Sequence, residues 1–424
     1  MIRTVSFVIV DGQLIDLDWI LPVVAEFSVQ GWRTHILVVP PPDAEKHDFL
    51  LHLAAQVADE VEIGLDRYEP LPGAATVLRW SRGGGLLGSL ARLYASDRHL
   101  RFGRNSVLPW RRDRLQANLV RRFARSDMVF VSYRKNDGDG TPSGIVQAAL
   151  AVAGRPVVAY PSTADFHVAL TTLHDADLVL TNTEEQREKI AAITNAPVMT
   201  VGVPKFDGPW RQRVLVAYEA FFGHQALPMG RMPVLLVLKN ESSPIWSGIS
   251  WADTTLAAIE QLRGPDRYLI LKPHPRQDMN SLRDLLASIP PDDYRIDMAP
   301  LSYWSERVEA VVALFSGGAL EPLAAGKVPH VYWPITDAYR QHLQSGEAPP
   351  VMTSLYLRSV GDSYRTQYSD FAVTISTPQI RLAAVDSRPY LEHFQDMFRP
   401  AGSARRIVEV CNSLNTSRSE GAVP

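Results

Sequence analysis

Short apolar runs alternate along this chain with longer stretches whose apolar residues recur every third or fourth position. Residues 5–10 read as a first buried strand, stopped by Asp11-Gly12, and residues 18–30 as a helix ended by Gly31. A second strand, 34–39, closes on a run of prolines, and 44–60 is again helical in pattern. The alternation resumes with strand 128–133, helix 144–153, strand 156–160, a helix through residue 173, strand 178–182, helix 184–193 and strand 197–203. Thr183 is placed to cap helix 184–193, with Glu184 and Glu185 in its first turn. After an aromatic-rich stretch, 206–230, a second series begins with strand 234–238, helix 252–262, strand 268–271 and helix 281–289. Strands 294–296 and 310–315, helix 319–325 and strand 330–333 follow. Strands that alternate with helices predict parallel sheets covered on both faces, an α/β chain of two doubly wound, Rossmann-like domains. The expected division is an N-terminal domain over 1–230 and a C-terminal domain over 231–385. Helices within 386–414 are expected to pack back across the domains, and 415–424 to be a disordered tail.

At 424 residues the chain exceeds one ordinary core, which agrees with two domains. A net charge of −3 gives no general attraction to nucleic acid. The lone cysteine, Cys411, excludes an internal disulfide framework and a multi-cysteine zinc site, and makes a reducing cytoplasm the simplest compartment. The first apolar run is too short for a signal peptide or a membrane span, and no other stretch is long and apolar enough to cross a bilayer. The stretch between Arg98 and Arg125 interleaves arginines with Leu100, Phe102, Trp110, Leu115, Leu119 and Phe123. It reads as a solvated helix face whose arginine stems cover core; the rival is a peripheral contact with the inner face of the cell membrane or with a polyanionic acceptor.

The chemistry concentrates at YLILKPHPRQD, Tyr268 to Asp278. Lys272, His274 and Arg276 alternate with Pro273 and Pro275 directly after an apolar strand. Proline fixes its own φ and keeps the preceding residue extended, so these side chains sit on a stiff segment at a strand's carboxyl end, where open α/β sheets bind ligands. Such an array of potential cations suits a phosphate or diphosphate. A second stretch, FSGGALEPLAAG, ends a strand at Phe315 and offers the backbone of Ser316, Gly317 and Gly318 at the start of a helix, a place for an anion. Glu321, one turn in, is placed to accept from the vicinal hydroxyls of a ribose, as the acidic residue of other nucleotide sites does. Each motif alone also reads as an ordinary strand-to-helix turn; together they outline a nucleotide pocket.

KPHPR followed by SGG-x-x-E-x-x-x-x-G resembles the donor domain of GT-B glycosyltransferases. The segment DADLVLTNTEEQREKIAAITNAPVMTVGVPKFD, residues 175–207, is similar to the stretch that ends the N-terminal domain in enzymes like UDP-GlcNAc 2-epimerase and CDP-glycerol transferase. The loop Gly138-Asp139-Gly140-Thr141 also resembles a loop of the epimerases, and the His-Pro motif is shared with sialyltransferases and capsular Kdo transferases that use CMP-activated sugars. The resemblance covers roughly residues 128–334. It implies a GT-B fold, two domains facing a cleft, and a nucleotide-sugar or CDP-polyol donor. It also implies a glycan or lipid-linked acceptor in surface or capsular polysaccharide synthesis.

The departures from the epimerases are specific. Asp11-Gly12-Gln13 stands where they open with glycine-threonine-arginine, and Leu238-Lys239-Asn240-Glu241 where they carry a histidine-arginine pair. Transfer from a nucleotide-activated donor is therefore the expected activity, with a UDP-sugar 2-epimerase or hydrolase, or an inactive GT-B-like binding protein, as alternatives. Lys272, His274 and Arg276, with the amides of Gly317 and Gly318, would stabilise the leaving phosphate, so no metal and no resident cofactor is expected. Asp137 and Asp139 of the NDGDG loop are the candidate bases, against the reading of a plain turn, and Asp11 is their rival. The D-x-D triplets at Asp16, Asp137 and Asp175 read as turn or helix-end residues. Ser242-Ser243 read as a helix-cap loop, His167 and His174 as packing or surface histidines, and Asp207 as closing a turn.

Overall fold

A computed structural model describes residues 2–10, 15–39, 48–63, 109–132, 142–161, 176–242, 246, 250–274, 277–314, 321–332, 382, 387–393, 395–396 and 402–420. The chain forms a pair of compact units, one of residues 1–163, 167–205 and 403–424, the other of 164–166 and 206–402.

In the first unit the described elements run β1 (Thr4–Val10), α1 (Ile15–Val29), β2 (Arg33–Val39), α2 (Asp48–Val57), β3 (Glu60–Ile63), α3 (Pro109–Phe123), β4 (Met128–Ser132) and α4 (Pro142–Ala153). They continue through β5 (Val157–Tyr160), β6 (Leu178–Thr181), α5 (Glu184–Ala191) and β7 (Val198–Thr200). The strands make a 7-stranded sheet in the order β3-β2-β1-β4-β5-β6-β7. Every pairing is parallel, with Val5 against Thr34 on one side and Met128 on the other. The central strands are apolar in sequence because helices cover both their faces: Phe7, Val8, Ile9, Val129 and Phe130 are fully buried. Phe7, Phe27 and Phe130 meet in one aromatic cluster, with centroids 4.9 to 5.9 Å apart.

The second unit runs α6 (Gly208–Phe222), β8 (Met232–Val237), α7 (Trp251–Leu262), β9 (Arg267–Lys272), α8 (Met279–Leu285), β10 (Tyr294–Ile296), α9 (Leu301–Arg307), β11 (Ala310–Leu314), α10 (Glu321–Ala324), β12 (His330–Tyr332) and α11 (Arg388–His393). Its sheet is 5-stranded and parallel, in the order β10-β9-β8-β11-β12. Leu236, Leu271 and Leu314 of neighbouring strands share a core with Ile259 of α7 and Leu282 of α8. The last helix, α12 (Ser403–Glu420), belongs to the first unit, where Asn412 donates to Gln30 Oε1 at the end of α1 (3.4 Å).

The architecture follows the alternation, with corrections. The first boundary falls after Lys205 rather than at residue 230, because the aromatic stretch is helix α6, packed on α9 of the second unit. Tyr218 lies 4.4 Å from the Tyr303 ring, Arg211 pairs with Glu306, and Arg307 pairs with Glu219. The expected C-terminal pair is divided: α11 stays with the second unit, and the chain passes to the first at Gly402, whose φ of 87° favours glycine. Residues 415–420 continue α12 rather than starting a disordered tail. Glu60, read as the end of a helix, instead opens the edge strand β3 (Glu60–Ile63), which the pattern did not predict.

Of the arginine-rich stretch the structure describes α3. Leu115, Leu119 and Phe123 are buried in the core with Val129 and Ile145, and Arg122 pairs with Glu62. Its apolar face is thereby occupied by the protein's own interior. Among the described residues no helix is long and apolar enough to cross a membrane.

Candidate functional site

The order of the second sheet locates its crossover. From β8 the chain adds β9 and then β10 on one side, then β11 and β12 on the other. Ligands of such sheets bind outside the carboxyl ends of the strands at that reversal, here β8 and β11. The loop after β8, starting at Leu238, therefore borders the crevice, and the segment carrying His274 follows β9, the neighbour of β8.

The loop after β8 is held at its described positions. The Leu238 N–H donates to Lys272 O (2.9 Å), which joins it to the end of β9. The indole of Trp251 donates to Lys239 O (2.9 Å), and that of Trp246 donates to Asn240 O (2.8 Å). Asn240, itself buried, donates through Nδ2 to Ser242 Oγ (2.8 Å). Glu241 reaches across to the loop after β9, where its carboxylate accepts from Gln277 Nε2 and from the Asp278 N–H (3.3 Å). The Gln277 N–H in turn donates to His274 O (2.8 Å). Asp278 then caps α8, its side chain accepting from the Asn280 N–H (2.9 Å).

The predicted residues lie as follows. Lys272 ends β9, and its ammonium donates to Met298 O (3.1 Å), on the β10 side of the strand and away from the crossover. His274 is half-buried and follows β9 by two positions. Glu321 begins α10 and is almost fully buried; its Oε1 accepts from the Ser302 N–H (2.9 Å). That bond has a local cause. Helix α9 starts after Pro300, which gives no side-chain cap, so a first-turn amide takes its acceptor from another element. Arg276, Ser316, Gly317 and Gly318 lie outside the described residues, as do Asp11, Asp137, Asp139, Asp175, His167, His174 and Ser243. Asp207 starts α6 without a side-chain bond to the helix amides, and the Thr183 hydroxyl caps α5 through the Gln186 N–H (3.2 Å), as its sequence predicts.

The first sheet reverses between β1 and β4. The candidate bases occupy the connections that follow these strands, Asp11 after β1 and Asp137 and Asp139 after β4. Beside this reversal the structure adds buried polar residues. Asp16, in the first turn of α1, accepts from Ser132 Oγ at the end of β4 (3.0 Å). Trp19 stacks on Tyr160 (5.2 Å, 18°) and donates to Asn182 Oδ1 (3.3 Å). The sequence places Asp16 at a helix end, as found; its partner lies 116 positions away and has no local signature.

Among the described residues one grouping has metal-ligand chemistry: His35, Glu60 and Glu62, whose ligand atoms all lie within 4.8 Å of one another. It sits on β2 and β3 at the edge of the first sheet, away from the reversal. Glu62 is paired by Arg122, and Glu60 by Arg33 (3.7 Å), so the charge of both carboxylates already has a partner. Burial holds the His35 imidazole below its usual range, against the pull of Glu60 and Glu62.

No protein-family model matches the chain, and no curated protein matches it. Solved structures do. UDP-GlcNAc 2-epimerase from Neisseria meningitidis, bound to UDP-GlcNAc, superposes with a TM-score of 0.52 at 12% identity, covering 97% of this chain and 100% of that one. The putative UDP-N-acetylglucosamine 2-epimerase from Listeria monocytogenes gives 0.51 at 11% identity over 98% of both chains. The fold is GT-B. A third match, UDP-GlcNAc 2-epimerase from Methanocaldococcus jannaschii in complex with UDP-GlcNAc and UDP, gives 0.51 at 12% identity over 97% of this chain and 100% of that one. At these identities the GT-B likeness is one of architecture; the chemistry has to be argued from the residues.

Proposed function

We propose that the protein is a GT-B transferase that moves a sugar or polyol-phosphate group from a nucleotide-activated donor to a glycan or lipid-linked acceptor of surface-polysaccharide synthesis. The observation that carries this reading is the position of His274. It follows the buried strand β9 by two positions, β9 pairs with β8 beside the sheet's crossover, and it lies in the K-P-H-P-R segment. His274 and Arg276 would donate to the phosphate that leaves with the nucleotide, and the backbone of Ser316, Gly317 and Gly318 would receive the same anion. Lys272 would add its charge after giving up its bond to Met298 O. Glu321 is proposed to meet the ribose. Asp137 or Asp139 would take the proton from the acceptor hydroxyl, with Asp11 as the rival base. With the leaving charge met by cations, the proposal needs no metal, and the nucleotide enters as part of the substrate. A CMP- or CDP-linked donor is favoured by the resemblance of the His-Pro segment to enzymes that use cytidine-activated sugars.

A second reading, a UDP-sugar 2-epimerase, is favoured by the solved structures the fold matches. Against it stands Leu238-Lys239-Asn240-Glu241, where the epimerases resembled carry a histidine-arginine pair. Incubation with labelled CMP-, CDP- and UDP-linked donors, with and without a polysaccharide acceptor, separates the two. Acceptor-dependent nucleotide release that falls at least about a hundredfold in Asp137→Ala or Asp139→Ala supports transfer. Acceptor-independent formation of a 2-epimer or its free sugar overturns it in favour of the second reading.

A further inference from the structure

We propose that Glu241 is a positioning residue for His274. Its carboxylate accepts from the side chain of Gln277 and from the Asp278 N–H (3.3 Å), and the Gln277 N–H in turn donates to the backbone carbonyl of His274 (2.8 Å). The far end of the segment that bears the imidazole is thus fastened to the loop after β8, whose own carbonyls are held by Trp246 and Trp251. Gln277 is 4% exposed, so its amide is largely shielded from solvent and is shared between Glu241 and Asp278 O (3.2 Å). The proline on each side of His274 restricts the backbone locally, but local stiffness does not fix where a segment ends; the bonds from Glu241 do.

This inference rests on the reading of His274 as a phosphate ligand. A ligand held ready in its bound geometry binds more tightly than one that must be ordered on binding. Removing the clamp should therefore weaken the phosphate contact without touching the phosphate. Glu241→Ala removes both acceptor bonds. Glu241→Gln keeps one carbonyl acceptor and serves as the milder variant should the alanine change disturb folding.

The test uses the full chain and follows several properties together: amide hydrogen exchange at Gln277 and Asp278, the melting temperature, and the affinity for CMP, CDP and UDP across about pH 5 to 8, where imidazoles titrate. In Glu241→Ala, exchange at Gln277 and Asp278 should rise at least tenfold, and affinity for the nucleotide that binds the wild type should fall about tenfold. The part of that affinity that changes with pH should flatten towards the profile of His274→Ala, and Glu241→Gln should fall between. A purely structural role would lower the melting temperature and leave the pH profile unchanged. Unaltered exchange, or faster exchange with affinity and pH profile intact, overturns the clamp and leaves the nucleotide reading standing. Failure of the wild type to bind any of the nucleotides overturns that reading, and the positioning role falls with it.

Discussion

The hydroxyl of Tyr218 donates to Oδ1 of Asp297 across 3.2 Å and fastens α6 to the second unit. Asp297 is 4% exposed at its side chain and serves several donors: Tyr218, the Ala299 N–H (2.7 Å) and Arg295 (2.9 Å). Arg295 also lies over the Trp304 ring (5.3 Å). Burial first, then the Asp297 charge, pushes the Tyr218 phenol above its usual range, so it stays a donor at any ordinary pH. Tyr218→Phe leaves the carboxylate with its other donors and should cost about 1 kcal/mol. Asp297→Ala removes the charged partner of a partly buried guanidinium, which keeps its bond to Gln225 Oε1 (2.6 Å), and should cost about 3 kcal/mol or more. Urea unfolding followed by tryptophan fluorescence checks both; equal costs for the two variants would show that the carboxylate is not the centre of the network.

His330 of β12 gives the second unit an acid-side weakness. It is 2% exposed, and burial pushes its imidazole down to about 4 from 6.5. The folded value is the lower, so the unfolded chain binds the proton first as pH falls. Stability is therefore fully present above about 6.5 and is lost as pH falls through the window to 4, by about 3 kcal/mol at its foot. His330→Gln should melt at a temperature that changes less between pH 7 and 4 than the wild type's, a comparison that differential scanning calorimetry makes directly. Parallel curves would remove His330 as the cause.

Leu119 is fully buried on α3, among Val129, Ile145 and Ala149. Leu119→Ala should lower the stability of the first unit by roughly 2–5 kcal/mol, the usual range for a core leucine. A change within about 0.5 kcal/mol, as at a surface position, would return this face to the role of a docking surface.

Much of the fold is written in local pattern. The runs Val5 to Val10 in β1 and Val234 to Val237 in β8 are buried on both faces of their sheets, so their apolar character is continuous and readable. Helix α6 is legible only in retrospect: Trp210, Val214, Ala217 and Tyr218 are its buried face at helical spacing, but the surrounding aromatics hide the period. Strand β3 is the converse case, four residues whose pairing with β2 supplies what their own sequence does not. At the candidate site, the K-P-H-P-R segment declares itself by composition. The contacts around it do not: Glu241 meets Gln277 across 36 positions, and Ser302 meets Glu321 across 19, distances over which no periodicity or turn signal acts.

A nucleotide site built on His274 should bind nucleotide through that imidazole. A thermal-shift panel of CMP, CDP, UMP, UDP and GDP on the wild type and His274→Ala is the measurement. At about a hundred times its dissociation constant, a ligand specific for the folded state adds roughly 2.7 kcal/mol, a shift that is easily read. A cytidine or uridine nucleotide should shift the wild type, and removal of the imidazole should cost about 1.5–3 kcal/mol of binding energy. A panel in which no nucleotide shifts the wild type, or in which His274→Ala binds as well as the wild type, would contradict it.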